Sequence, residues 1–232
     1  MSDVCFNDKW LSGCGATVEY RPPRSIPQRD YSVAAVPGRN GSLLYDGGKW
    51  QDVTQPYQIY TRGGYIEAFE KLAAWMYSDT GWRQLYDTYD PKHYRMAYVS
   101  DAPSLDDIWD NWGRGTITFT CMPQRWLFEG DEPIDVIHGD VLKNPTAFQS
   151  RPIIKVTGSG MLTIGETQVT LTDIPETGIT IDCEMRECYG INQTNLNDHV
   201  TMAAWPELGK STAFNIGAGI ESVEVTPKWW TI

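Results

Sequence analysis

The sequence predicts two domains of different class: an α+β N-terminal domain over residues 1–130, a small β-meander carrying one helix, and an all-β C-terminal domain over 145–232, an antiparallel β-sandwich, with a linker at 131–144. Three observations predict this. Apolar residues alternate with period two in short runs bounded by turn residues through most of the chain. Helical period occurs in one stretch alone, after Gly64. From Glu129 to Thr146 the chain is acidic and punctuated by Gly139 and Asn144-Pro145, the pattern of a domain boundary. At 232 residues, 41% of them hydrophobic, the chain is long enough to give each domain its own core.

The elements follow in order. Tyr31 to Val36 places β-formers at alternating positions and runs into Pro37-Gly38-Arg39-Asn40-Gly41, where Asn40-Gly41 suits the positive φ angles of a tight hairpin. A strand returns through Leu43, Leu44 and Tyr45, Asp46-Gly47-Gly48 reads as a second turn, and Tyr57 to Arg62 alternates again. After Gly63-Gly64 the spacing of Ile66, Phe69, Ala73, Met76 and Tyr77, widened by Leu72 and Trp75, predicts an amphipathic helix ending near Gly81. Trp82 to Tyr86 and Tyr94 to Val99 return to strand composition around an Asp90-Pro91 turn. Gly115 to Met122 is a clear strand with Ile117, Phe119 and Cys121 on one face, stopped by Pro123. In the C-terminal half, Ile153–Val156, Met161–Ile164, Gln168–Leu171, Ile179–Asp182, Ser211–Ile216 and Ile220–Val225 are short strands separated by turns, as in a sandwich.

Composition excludes several functions. Thirty Asp plus Glu against nineteen Lys plus Arg give a net charge of −11, which repels a phosphate backbone, so sequence-specific nucleic-acid binding is not expected. No apolar run approaches the roughly 18 residues of a membrane helix, and the first ten residues lack the pattern of a signal peptide, so membrane insertion is not expected either. Cys5, Cys14, Cys121, Cys183 and Cys188 are odd in number and widely spread, which reads as reduced thiols. Cys183 and Cys188 lack the paired spacing and nearby His of a zinc site, and no metal or cofactor is expected. His93, His138 and His199 sit in unrelated segments and read as surface or turn residues. Asp101, Asp106, Asp107 and Asp110 read as a solvated acidic loop, and Asp182 with Glu184 is a weak candidate for a glycosidase pair; no catalytic residue is assigned.

Two features admit both a functional and a plain reading. The tip Val36, Pro37, Gly38, Arg39, Asn40 and Gly41 is the candidate inter-subunit interface, because a projecting hairpin is a natural edge to dock and Arg39 suits a planar contact with a carboxylate. The bland alternative is that Arg39 only braces its own turn. Trp50, Trp82, Trp205, Trp229 and Trp230 suit sugar stacking, which makes a carbohydrate-binding module for cell-wall glycans the alternative function, or they serve core and interface.

Four stretches together resemble the siphophage distal tail protein family. They are Val36-Pro37-Gly38-Arg39-Asn40-Gly41 with Leu43, Asp46 and Gly47; the helix from Ile66 to Met76 with Trp82 to Leu85, Asp90 and Tyr94; Phe119, Cys121 and Pro123; and Asn144-Pro145, Ser150 to Ile154, Ile179 to Asp182 and Pro206 to Gly209 before the closing Val225 to Ile232. The resemblance implies an N-terminal domain that forms a homo-hexameric ring and a galectin-like C-terminal sandwich. It also implies partners: the tail tube protein on one face and the tail-associated lysin, fibre hub or receptor-binding protein on the other. The protein would reside at the virion's tail tip after assembly in the host bacterial cytoplasm, and DNA would pass through its ring. Such a channel suits the chain's acidity, since a lumen carrying negative charge does not hold DNA. No long insert separates the sandwich strands, so the resemblance is to the short form without a carbohydrate-binding insert.

Overall fold

A computed structural model describes residues 2–61, 64–101, 104–109 and 112–232, the side chains of Tyr65, Asp107, Ile108 and Trp109 excepted. The chain forms two units. One ends at Arg125 and also takes in Ile232; the other runs Trp126–Thr231.

The first unit is α+β. Its sheet is antiparallel throughout the path Lys9–Trp10, Val4–Phe6, Arg83–Asp87, His93–Asp101, Trp112–Cys121, Val53–Thr61 and Ala16–Val18. Trp112–Cys121 is central, and its Ile117, Phe119 and Cys121 are fully buried at alternate positions, as a half-buried strand requires. The helix Tyr65–Tyr77 covers this face. Phe119 lies at the centre of an aromatic cluster, 5.1 Å from Phe6, 5.9 Å from Tyr57 and 6.2 Å from Trp75 between ring centroids.

Several expectations for this unit need correction. The helix buries Ala68, Leu72, Trp75 and Met76, whereas Ile66, Phe69 and Tyr77 of the expected core stripe are exposed. The helix is apolar on two sides, and the spacing alone does not say which faces the sheet. Trp75 decides it, donating its indole N–H to the Lys9 carbonyl at 2.8 Å while packing edge-on against Phe6. Asp46-Gly47-Gly48 is no turn; it lies inside one long strand, Ser42–Trp50, as a bulge opposite Asp30. Leu105–Trp109, expected within a solvated acidic loop, is a strand paired with Trp112–Gly115, held by buried Leu105 and with Asp106 opposite Arg114. Arg62, Gly63 and Asp110 lie outside the described residues.

The second unit is all-β, two five-stranded antiparallel sheets. One orders Ile134–Asp135, Ile220–Thr226, Ile153–Gly158, Ile179–Asp182 and Glu187–Tyr189; the other Val141–Lys143, Ser211–Ile216, Gly160–Ile164, Thr167–Leu171 and Val200–Met202. Ile154, Ile181 and Val225 of the first meet Leu162, Val169 and Phe214 of the second in one core, so the unit is a sandwich. The segment expected as a linker, 131–144, is part of it. Ile134–Asp135 and Val141–Lys143 are edge strands, one on each sheet, and Val136 between them is buried in the core. Short polar edge strands carry too little apolar alternation to be read from sequence.

Candidate assembly surface

Among the described residues the strands Arg29–Ala35 and Ser42–Trp50 pair only with each other, forming a two-stranded arm. Its turn is built by Pro37 and Gly38. The Arg39 N–H donates to the Val36 carbonyl at 3.2 Å, and Gly38 takes φ +78° at the third position, a type II turn in which proline presets the second position and glycine alone fits the next without strain. The positive φ angles therefore fall on Gly38 and Gly41, and Asn40, expected to share them, does not.

The root of the arm is fixed electrostatically. Arg29 makes three hydrogen bonds of 3.0–3.1 Å to the Asp46 carboxylate, its guanidinium lies 5.0 Å over the Trp50 ring, and Asp46 also accepts the Gly48 N–H at 2.8 Å. These contacts, the Arg29 hydrogen bonds first and the Gly48 N–H next, hold the Asp46 carboxyl below its ordinary range. Lys49 lies 3.6 Å from Asp30. Gly48, at φ +75°, lets the strand bulge here and resume pairing, which explains why the expected second turn is absent.

Between root and tip the arm is apolar on both faces. The register puts Tyr31, Val33 and Ala35 with Leu44 on one face, and Ala34 with Leu43 and Tyr45 on the other. All are exposed: Val33 by 66%, Leu44 by 64% and Tyr45 by 72%. A lone two-stranded ribbon is marginally stable in water, and contiguous exposed apolar surface marks an interaction site. The predicted interface residues Val36, Pro37, Gly38, Arg39, Asn40 and Gly41 lie together at the exposed tip. Among the described residues the Arg39 side chain has no ion pair or hydrogen bond; its backbone N–H closes the turn and its guanidinium is free of it. Sequence reasoning singled out the tip and did not mark the apolar shaft. The signal was there, since Leu43-Leu44-Tyr45 is a strand with no polar phase, which means that both faces are apolar.

The other candidate residues make contacts within the fold. Asp182 is buried and accepts the backbone N–H groups of Glu184 and Met185 at 3.0 and 2.9 Å, capping a turn, and Glu184 pairs with Arg151 at 3.3 Å. His138 and His199 bond backbone groups of neighbouring strands and loops. All five cysteines are buried and free; burial pushes Cys121 and Cys183 up to about 12 and Cys188 to about 11, which keeps them protonated and unreactive. Among the described residues no group of three or more His, Cys, Asp or Glu is placed to hold a metal ion, and no helix is long and apolar enough to cross a membrane. Of the tryptophans suited to sugar stacking, Trp229 is buried, Trp230 stacks on Phe148 at 4.6 Å, Trp50 lies under Arg29 and Trp205 packs against the sandwich core. Trp82 meets Tyr98 edge-on at 5.0 Å.

Asp90 organises a polar cluster beside a cavity of about 300 Å³ in the first unit. His93 Nδ1 lies 2.8 Å from Asp90 Oδ1, Arg125 bonds Oδ2, and Tyr57 donates to neighbouring Asp87 at 2.8 Å. Burial pulls the Asp90 carboxyl upward, but His93 and Arg125 outweigh it and hold the group below its ordinary value. A carboxyl depressed in the folded state stabilises the fold above its unfolded value, near ~3.9, and that contribution is lost as pH falls through the folded value. The stability difference between the native chain and Asp90→Asn is therefore expected to shrink as pH falls below about 4. Denaturant titration at several pH values measures it; a difference independent of pH contradicts the pairing.

No family model matches the sequence, and no curated protein matches it. Among solved structures the fold matches the crystal structure of the SPP1 Dit (gp 19.1) protein, described as a paradigm of the hub adsorption apparatus in phages infecting Gram-positive bacteria. The TM-score is 0.73 at 12% identity over 100% of both chains. The match spans both units, and the chain shares that protein's fold from end to end.

Proposed function

We propose that this chain is a distal tail protein, a structural component of a phage tail tip whose first unit assembles into a homo-hexameric ring. The observation that carries the reading is the fold, shared over the full length of both chains with a protein of a phage hub adsorption apparatus. The sequence motifs lead to the same family independently of the fold. The exposed arm supplies a physical means of assembly: a ribbon apolar on both faces gains stability once a neighbour covers it. Heterologous contacts of this kind, repeated around an axis, close into a ring. On this reading the arm tip Val36–Gly41 contributes to the subunit interface. The ring joins the tail tube protein to the tail-associated lysin, fibre hub or receptor-binding protein, at the virion's tail tip, after assembly in the host bacterial cytoplasm. The net charge of −11 suits a channel through which DNA slides without lasting phosphate contacts.

Native mass spectrometry and negative-stain imaging of the purified protein, alone and with its tail tube protein, test this. Six-fold particles are the expected result. A chain that stays monomeric under both conditions at micromolar concentration overturns the reading.

A further inference from the structure

The first unit carries a second uncovered apolar surface, on the helix. At 100° per residue, Ile66, Phe69, Ala73 and Tyr77 fall on one stripe, centred roughly 120° from the buried face of Ala68, Leu72, Trp75 and Met76 and adjoining it where Phe69 borders Met76. Ile66 is exposed by 70% and Tyr77 by 54%, so the stripe is open along the helix. The arm and the helix are both exposed in one and the same chain, and so neither covers the other.

Their charges complement each other. Arg29 pairs with Asp46 and Lys49 with Asp30, which leaves Arg39 as the arm's one cation without an acidic partner among the described residues. On the helix Lys71 pairs with Glu67 at 2.7 Å, leaving Glu70, exposed and flanking the stripe between Ile66 and Ala73. Lengths also agree: the seven residues of Arg29–Ala35 span ~23 Å as a strand, and the thirteen of Tyr65–Tyr77 ~20 Å as a helix. In the second unit, by contrast, the exposed large apolar residues Ile137, Val141, Met161, Met185 and Ile191 are scattered along the chain.

From this we infer that the occupant of the helix stripe is the arm of a second copy of this chain: one face of the arm lies along the neighbour's helix, and Arg39 meets Glu70 of the partner subunit. The inference rests on the ring reading and deepens it by naming the acceptor surface. Donor and acceptor are different patches, so the contact is head-to-tail and leaves each subunit with one arm to give and one helix to offer, as ring closure requires.

Charge reversal tests it. Arg39→Glu and Glu70→Arg both change exposed side chains, so each monomer is expected to melt as the native chain does. Each alone is expected to weaken assembly by about tenfold or more, and the double variant Arg39→Glu/Glu70→Arg to recover most of that loss, as read by native mass spectrometry over a dilution series. Single variants that assemble like the native chain, or a double variant no better than the singles, overturn the arm-on-helix contact and leave the ring standing. A native chain that stays monomeric in the same series both alone and with its tail tube protein overturns the ring reading itself.

Discussion

Phe119→Ala is expected to lower the stability of the first unit by about 3–5 kcal/mol, a large share of the ~5–15 kcal/mol available to a typical domain. The residue is fully buried in the central strand, and its ring touches Phe6, Tyr57 and Trp75, which come from an outer strand, an adjacent strand and the helix. Truncation removes edge-to-face contacts as well as buried area, and rigid neighbours on three sides limit collapse of the cavity. The melting temperature is expected to fall by roughly 10–20 °C for a unit of this size, measured by circular dichroism. Phe119→Leu keeps most of the volume and is expected to lose less than half as much. A drop of under about 3 °C for the alanine variant contradicts this account of the core.

The central strand was legible in the sequence because it obeys one rule without competition: Ile117, Phe119 and Cys121 alternate with threonines, and Pro123 ends the run. The six C-terminal strands were legible for the same reason, each carrying enough β-branched or aromatic residues at period two. Strands of two or three residues such as Val4–Phe6 or Ile134–Asp135 complete no period, and are held by neighbours distant in sequence. The helix was legible in place and type but not in orientation. Ile66, Phe69 and Tyr77 are also large and apolar, and contacts distant in sequence, among them the indole hydrogen bond of Trp75 to Lys9 and the Cys14 thiol against the Lys71 carbonyl, accompany the inward stripe. That ambiguity is itself informative. A helix whose two stripes are both apolar has one more than a single subunit buries.

The arm shows the same excess, and it supports the second large effect. Val33 and Leu44 stand directly opposite each other on one face, both well exposed. Val33→Lys with Leu44→Glu replaces that apolar pair by an opposite-charge pair, which itself stabilises an antiparallel ribbon by a few tenths of a kcal/mol to about 1 kcal/mol. The isolated chain is therefore expected to keep its melting temperature, since nothing buried changes. Assembly is expected to fall by about a thousandfold, because fully burying a Val or a Leu side chain is worth about 1.5–3 kcal/mol, and a charge pair driven against an apolar surface loses its hydration. Sedimentation velocity of native and variant protein at matched concentrations distinguishes the outcomes. Loss of assembly with an intact fold assigns the arm to the interface, whereas a variant that assembles as the native chain does shows that this face stays in water. The logic is the reverse of that for Phe119: there the subunit itself uses the apolar group, and here, on the proposed reading, only the assembly does.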